Sequence, residues 1–201
     1  MTSSQASKSG QGGESSALAR NFESILVAAV GVGVQYLHSE MGDQLKLPPP
    51  HANKPYNTWE EFYPFYLSEH SDQTCKRLHF AGTSIICLLL LRFPSLALAM
   101  AAAGSVFPLF QHMEYGIAEA ALVLPLFLYL AYRSTGSLPL ALMVPLCGYF
   151  FAWLGHFGFE HNKPATFIYP TYSLMSDFRM FGDMAWSAVN NGAATDLGVH
   201  I

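Results

Sequence analysis

Five histidines and one glutamate stand where they could do metal chemistry: His70, His79, His156 and His161, with Glu160 four residues after His156, and His112 at a distance from both groups. Imidazole nitrogens and a carboxylate around open positions suit non-haem Fe(II), which must also bind oxygen and a substrate. Zinc accepts the same ligands with less distinction. The remaining histidines, His38, His51 and His200, fall in the flanks and read as solvent residues. A histidine at a membrane interface has a blander use, with its ring buried and one nitrogen hydrated. Whether His70, His79 and His156 meet therefore depends on the elements that carry them.

Those elements are apolar. The chain has 201 residues, 51% of them hydrophobic and 12% charged, and residues 80–159 contain only Arg92, Glu114, Glu119 and Arg133 as charged groups. Soluble domains carry about twice that charged fraction. The expected fold is all-α, an integral membrane bundle of about four short transmembrane helices with interfacial helices. A net charge of −4 without a basic stripe excludes nucleic acid as a partner. Cys75, Cys87 and Cys147 show no CxxC spacing, so neither a disulfide framework nor a structural zinc site follows.

Along the chain, residues 1–20 are rich in Ser, Gly and Gln and read as a disordered tail. Residues 21–38 form an apolar accessory helix, 39–55 a Pro-rich linker, 56–186 the membrane-embedded domain and 187–201 a flexible tail. Thr58 and Glu61 make a capping box that opens a helix at about Thr58. Ser71 and Asp72 provide a turn and an N-cap for the next helix, from about Gln73. One long span through Arg92 would place a charge near mid-membrane at a cost of about 2.5–3.5 kcal/mol. A turn at Arg92-Phe93-Pro94-Ser95 avoids it and gives four spans, about 75–91, 95–110, 115–133 and 138–157.

An even number of spans returns the chain to its starting side. His79, at the start of the first span, and His156, at the end of the last, then share one face, and His70 folds back over it. Lys76, Arg77, Lys163 and Arg179 lie on that face, which the positive-inside rule makes cytosolic, with both termini. Glu160 is also a candidate for pairing with Lys76, Arg77 or Lys163. Arg77 is the better of the two adjacent cations for gripping a substrate carboxylate. Asp177 and Arg179 read as organisers of a C-terminal interfacial helix. Glu119 is the one plausible group for a proton path, the least favoured use of the chain. HExxH, GxSxG, phosphate-loop and paired HxxxH motifs are absent, so the histidines suit one metal better than two.

FYPFYLSEHSDQTCKRLHFAGTS, followed by FAWLGHFGFEHNKPATFIYPTYSLMSDFRMF, resembles the membrane-protein family of the 2-hydroxy fatty acid dioxygenase of phytosphingosine degradation, over about Tyr56 to Trp186. The resemblance implies a multi-span protein of the endoplasmic reticulum membrane that uses Fe(2+) and O2 to shorten 2-hydroxy fatty acids by one carbon. Its metal histidines are carried here by His70, His79 and His156. Glu160 follows as a ligand or as a partner of His156, and His161 stands where family members commonly have a basic residue. A 2-hydroxy acid can chelate iron through its hydroxyl and carboxylate, with the acyl chain among the membrane lipids and apolar spans. A non-enzymatic scaffold or lipid-binding subunit is the alternative function.

Overall fold

The structure, a computed structural model, describes residues 6–45, 51–110 and 112–190, with side chains of the first helix described from Ala17 to Leu37. Seven α-helices and no strand are found among the described residues: α1 (Ala6–Leu45), α2 (Trp59–Ser68), α3 (Gln73–Arg92), α4 (Pro94–Gly104), α5 (Ile117–Thr135), α6 (Leu138–Gly155) and α7 (Pro170–Asn190). The expected all-α class is what the chain adopts.

Local signals set most boundaries. Thr58 Oγ1 accepts the Glu61 N–H, and Glu61 returns a carboxylate oxygen to the Asn57 N–H, which fixes the start of α2. Asp72 accepts the N–H groups of Thr74 and Cys75 and so starts α3. Pro94 stands in the first turn of α4, where its missing N–H costs nothing. Gly136 closes α5 in the left-handed conformation at φ 72°, and Ser137 caps α6 through the Leu140 N–H.

Two elements differ from the sequence expectation. The second span, expected over 95–110, is an 11-residue helix that stops at Gly104 and is followed by a single 3-10 turn, Phe107–Phe110. At 1.5 Å per residue it covers about half of a hydrocarbon core. Its Leu96, Ala99, Ala102 and Ala103 are fully buried, so α4 packs inside the bundle and makes only part of the return toward the end at which α5 starts. The fourth helix long and apolar enough to span is the Ala17–Leu37 segment of α1, joining Gln73–Arg92, Ile117–Thr135 and Leu138–Glu160. α1 also runs well beyond 21–38 in both directions, even through Gly10, Gly12 and Gly13, which disfavour a helix. Residues 1–5, 46–50 and 191–201 of the expected tails and linker, His200 among them, lie outside the described residues.

α3, α4, α5 and α6 alternate in direction, so the starts of α3 and α5 and the ends of α4 and α6 share one end of the bundle. α2 and α7 cap that end: the Trp59 indole donates to Ser176 Oγ and the Tyr63 hydroxyl to Asp183. α1 arrives from the other end, with Glu23 paired to Arg133 at the close of α5 and Gln35 donating to the Ser105 carbonyl beyond α4. Glycines allow the tightest approaches. A Cβ on Gly82 would lie 2.9 Å from Phe151 Cβ, and one on Gly155 would lie 2.8 Å from Cys75 Sγ, so α3 and α6 meet backbone to side chain.

Candidate metal centre

The capped end of the bundle holds a buried cluster of imidazoles. His70 follows α2, His79 lies in α3, and His156 begins a π-turn, His156–Glu160, that continues α6. π-Bulges of this kind re-aim side chains and concentrate at functional sites. The ring centroids of His70 are 4.6 Å from those of both His79 and His156, and the latter two are 5.2 Å apart. All three residues are at most 5% exposed. One ligand-capable atom from each, together with Cys75 Sγ, can be chosen so that all four lie within 4.8 Å of one another.

The orientation of each ring is set by an oxygen. His70 Nδ1 lies 2.7 Å from the Tyr66 carbonyl, which can only accept, so the proton is on Nδ1. His79 Nδ1 lies 2.7 Å from Asp177 Oδ1. His156 Nδ1 lies 2.7 Å from Asn162 Oδ1, while the amide nitrogen of Asn162 donates to the carbonyl and carboxylate of Glu69. Three Nδ1–H groups so held leave three Nε2 lone pairs free of protons, the arrangement found around metal-binding histidines. Nε2 of His70 and of His79 is buried with no hydrogen-bond partner. An unsatisfied buried polar atom costs about 1–3 kcal/mol, so two of them facing one space call for a ligand.

Electrostatics agree with that protonation state. Burial, reinforced by the neighbouring His79, pushes the His70 pKa down to about 3, which keeps the ring neutral. Burial opposes ionisation of Asp177, but the adjacent His79 and the hydrogen bond from the Tyr66 hydroxyl hold its carboxyl below the usual range. Burial and Asp177 together keep the Tyr66 hydroxyl protonated, its pKa raised well above that of a free tyrosine. Asp177 is thus an acceptor for two donors, Tyr66 OH and His79 Nδ1–H.

The other sequence candidates are not brought to the imidazoles. Glu160 uses both carboxylate oxygens elsewhere, accepting Ser71 Oγ–H at 2.9 Å and the Asp72 N–H at 2.6 Å, so it ties the π-turn to the start of α3. His161 is exposed and closes the π-turn at φ 56°. Arg77 is exposed on α3, because residues two apart in a helix do not share a face and His79 is turned inward. His112 is exposed in the turn before α5, and His51 accepts the Asn53 N–H. Glu119 caps α7, accepting from the Thr171 N–H and hydroxyl, with Lys54 Nζ 3.9 Å from its second oxygen.

Sequence reasoning passed over Cys75, Tyr66 and Asn162 and gave Asp177 a merely structural part. Cys75 was recoverable, since it lies four residues before His79 on the same face of α3. Asn162 was not, because only the π-turn and the left-handed His161 swing it back to His156. Three imidazoles with a thiol beside them suit a divalent transition metal.

Residues 56–189 match the family model described as 2-hydroxy-palmitic acid dioxygenase Mpo1-like. No curated protein and no solved structure is significantly similar to the chain. The matched segment runs from Tyr56, ahead of α2, almost to the end of α7, and so contains all three imidazoles with Tyr66, Asp177 and Asn162; the chain belongs to the Mpo1-like 2-hydroxy-palmitic acid dioxygenase family.

Proposed function

We propose that the protein is an Fe(II)-dependent dioxygenase that shortens 2-hydroxy fatty acids by one carbon in fatty acid α-oxidation. The observation that carries the reading is the convergence of three buried imidazoles, each with Nδ1–H committed to an oxygen, with Nε2 of His70 and of His79 buried and unpartnered. His70, His79 and His156 would hold the metal, which when bound supplies the means of activating O2. The chain's own groups do the rest. Tyr66, Asp177 and Asn162 hold the rings in one tautomer. Tyr66 OH and Asp177 form a protonated and ionised pair beside the site, with the proton held at Tyr66. Burial at this end of the bundle excludes water from the reacting groups.

Glu160 acts as a positioning group for the π-turn and His161 as its closing residue. Arg77 remains available at the surface to meet an incoming carboxylate. The reticulum membrane is the proposed location, with the histidine end cytosolic on the strength of Lys76, Arg77, Lys163 and Arg179. The direction of α1, from Glu23 beside Arg133 to Gln35 beside Ser105, favours an N-terminus on the side opposite the histidines.

The test is oxygen consumption by the iron-loaded protein with 2-hydroxy-palmitic acid. Consumption that needs the 2-hydroxyl and disappears in His79→Ala and in His156→Ala supports the reading. A folded, iron-loaded protein that consumes no oxygen with any 2-hydroxy acid rejects it.

A further inference from the structure

A cavity of about 150 Å³ lies within the bundle, walled by α3, α4, α5, α6 and the first turns of α7. A smaller one of about 30 Å³ reaches His79. The two share Ile86, Gly148, Ala152, Leu174 and Asp177, so they adjoin, and part of the wall between them is a glycine and an alanine. The lining changes along the way. Asp177 stands near the imidazoles, whereas Met100, Val123 and Phe127, which line the larger cavity alone, form an apolar far end. From His79 to Ile86 along α3 is seven residues, a depth of about 10 Å.

Gly148 has no packing reason to be glycine. A Cβ there would meet only Ile86 Cδ1, at 3.4 Å, an ordinary contact, unlike the collisions at Gly82 and Gly155. Glycine inside a helix is disfavoured relative to alanine, and what it secures at this position is open space between the compartments. An engineered apolar cavity of about the same volume stays dry and binds benzene, so the far compartment has room for about six carbons.

We infer that this cavity seats the alkyl tail of a straight-chain acyl substrate whose head group lies at the imidazoles, and that Gly148 keeps the passage open. The inference rests on the proposed function for the head group alone. Tail and head divide the site: polar groups and imidazoles at Asp177, hydrocarbon beyond Gly148. Each methylene kept out of an apolar site weakens binding several-fold.

The test uses the full chain in detergent and a long-chain fatty acid carrying a mid-chain photoactivatable diazirine, with labelled residues mapped by mass spectrometry. Label on Val123, Phe127 or Val144, displaced by unlabelled 2-hydroxy-palmitic acid, is the expected result. Gly148→Leu, which fills the passage, should lower that label by about tenfold or more without lowering the thermal midpoint. Label confined to the outward-facing Leu122, Leu146 and Phe150, or internal label unaffected by Gly148→Leu, would overturn the inference. Should Gly148→Leu fail to fold, the positions labelled in the wild type decide alone. Internal label without oxygen consumption would keep the tail site and remove the dioxygenase reading; oxygen consumption with external label only would do the reverse.

Discussion

Asp177 Oδ1 lies 2.7 Å from Nδ1 of His79 and joins α7 to the first turns of α3. The same oxygen accepts the Tyr66 hydroxyl from α2, so one carboxylate gathers three helices around a ring whose Nε2 is left bare. Replacing Asp177 by Asn removes the charge and leaves the shape. The expected result is a folded protein with metal affinity lower by about 10–100-fold, read by competition against a chelating dye. Unchanged affinity would show that His79 is oriented by packing alone.

His70 gives the apo protein a pH dependence of known sign. Its folded pKa, about 3, lies below the ordinary 6.5, so the unfolded chain binds the extra proton between those values. The stability this represents is fully present above about pH 6.5 and is lost as pH falls toward 3, at up to about 1.4 kcal/mol per pH unit. Asp177, also lowered, adds a loss in the same direction below the usual carboxylate range. Thermal midpoints of metal-free protein should fall across this window, and His70→Asn should flatten the upper part of it. A profile level from pH 6.5 to 4 would contradict the buried, neutral imidazole.

Gly155 and Cys75 offer a test of how closely α3 and α6 must approach. In Gly155→Ala the new Cβ would stand 2.8 Å from Cys75 Sγ, and overpacking of this kind costs about 1–3 kcal/mol. The double variant Gly155→Ala with Cys75→Ala should recover most of that loss in a denaturant titration. Equal instability of the single and double variants would mean that the contact is not what limits the approach.

Much of this arrangement could be read from helix boundaries. Thr58, Asp72 and Pro94 announce the starts of α2, α3 and α4, and once direction alternates, the starts of α3 and the end of α6 must share an end. The length of α4 was hidden, because residues 95–110 remain apolar past Gly104 and hydropathy does not register a break in backbone path. Glycines in α1 weaken it as an isolated helix, yet Gly31 is what lets it settle against Ser105, where a Cβ would come within 2.0 Å of Oγ. Asn162 depends on a π-turn, and Asp177 comes from a helix that no local pattern links to His79. Such partners are chosen by tertiary packing.

Glu160 is expected to matter for shape and not for the metal. Glu160→Gln weakens the acceptors for Ser71 and Asp72 and should lower stability by about 1–3 kcal/mol with metal stoichiometry intact. Loss of metal in folded Glu160→Gln protein would instead place the carboxylate among the ligands.

The most direct measurement is the metal content of protein purified without oxygen, for the wild type and for His79→Ala combined with His156→Ala. The account predicts about one iron per chain after Fe(II) loading, lost in the double variant. Wild-type protein shown to be folded that retains no metal after loading would contradict it.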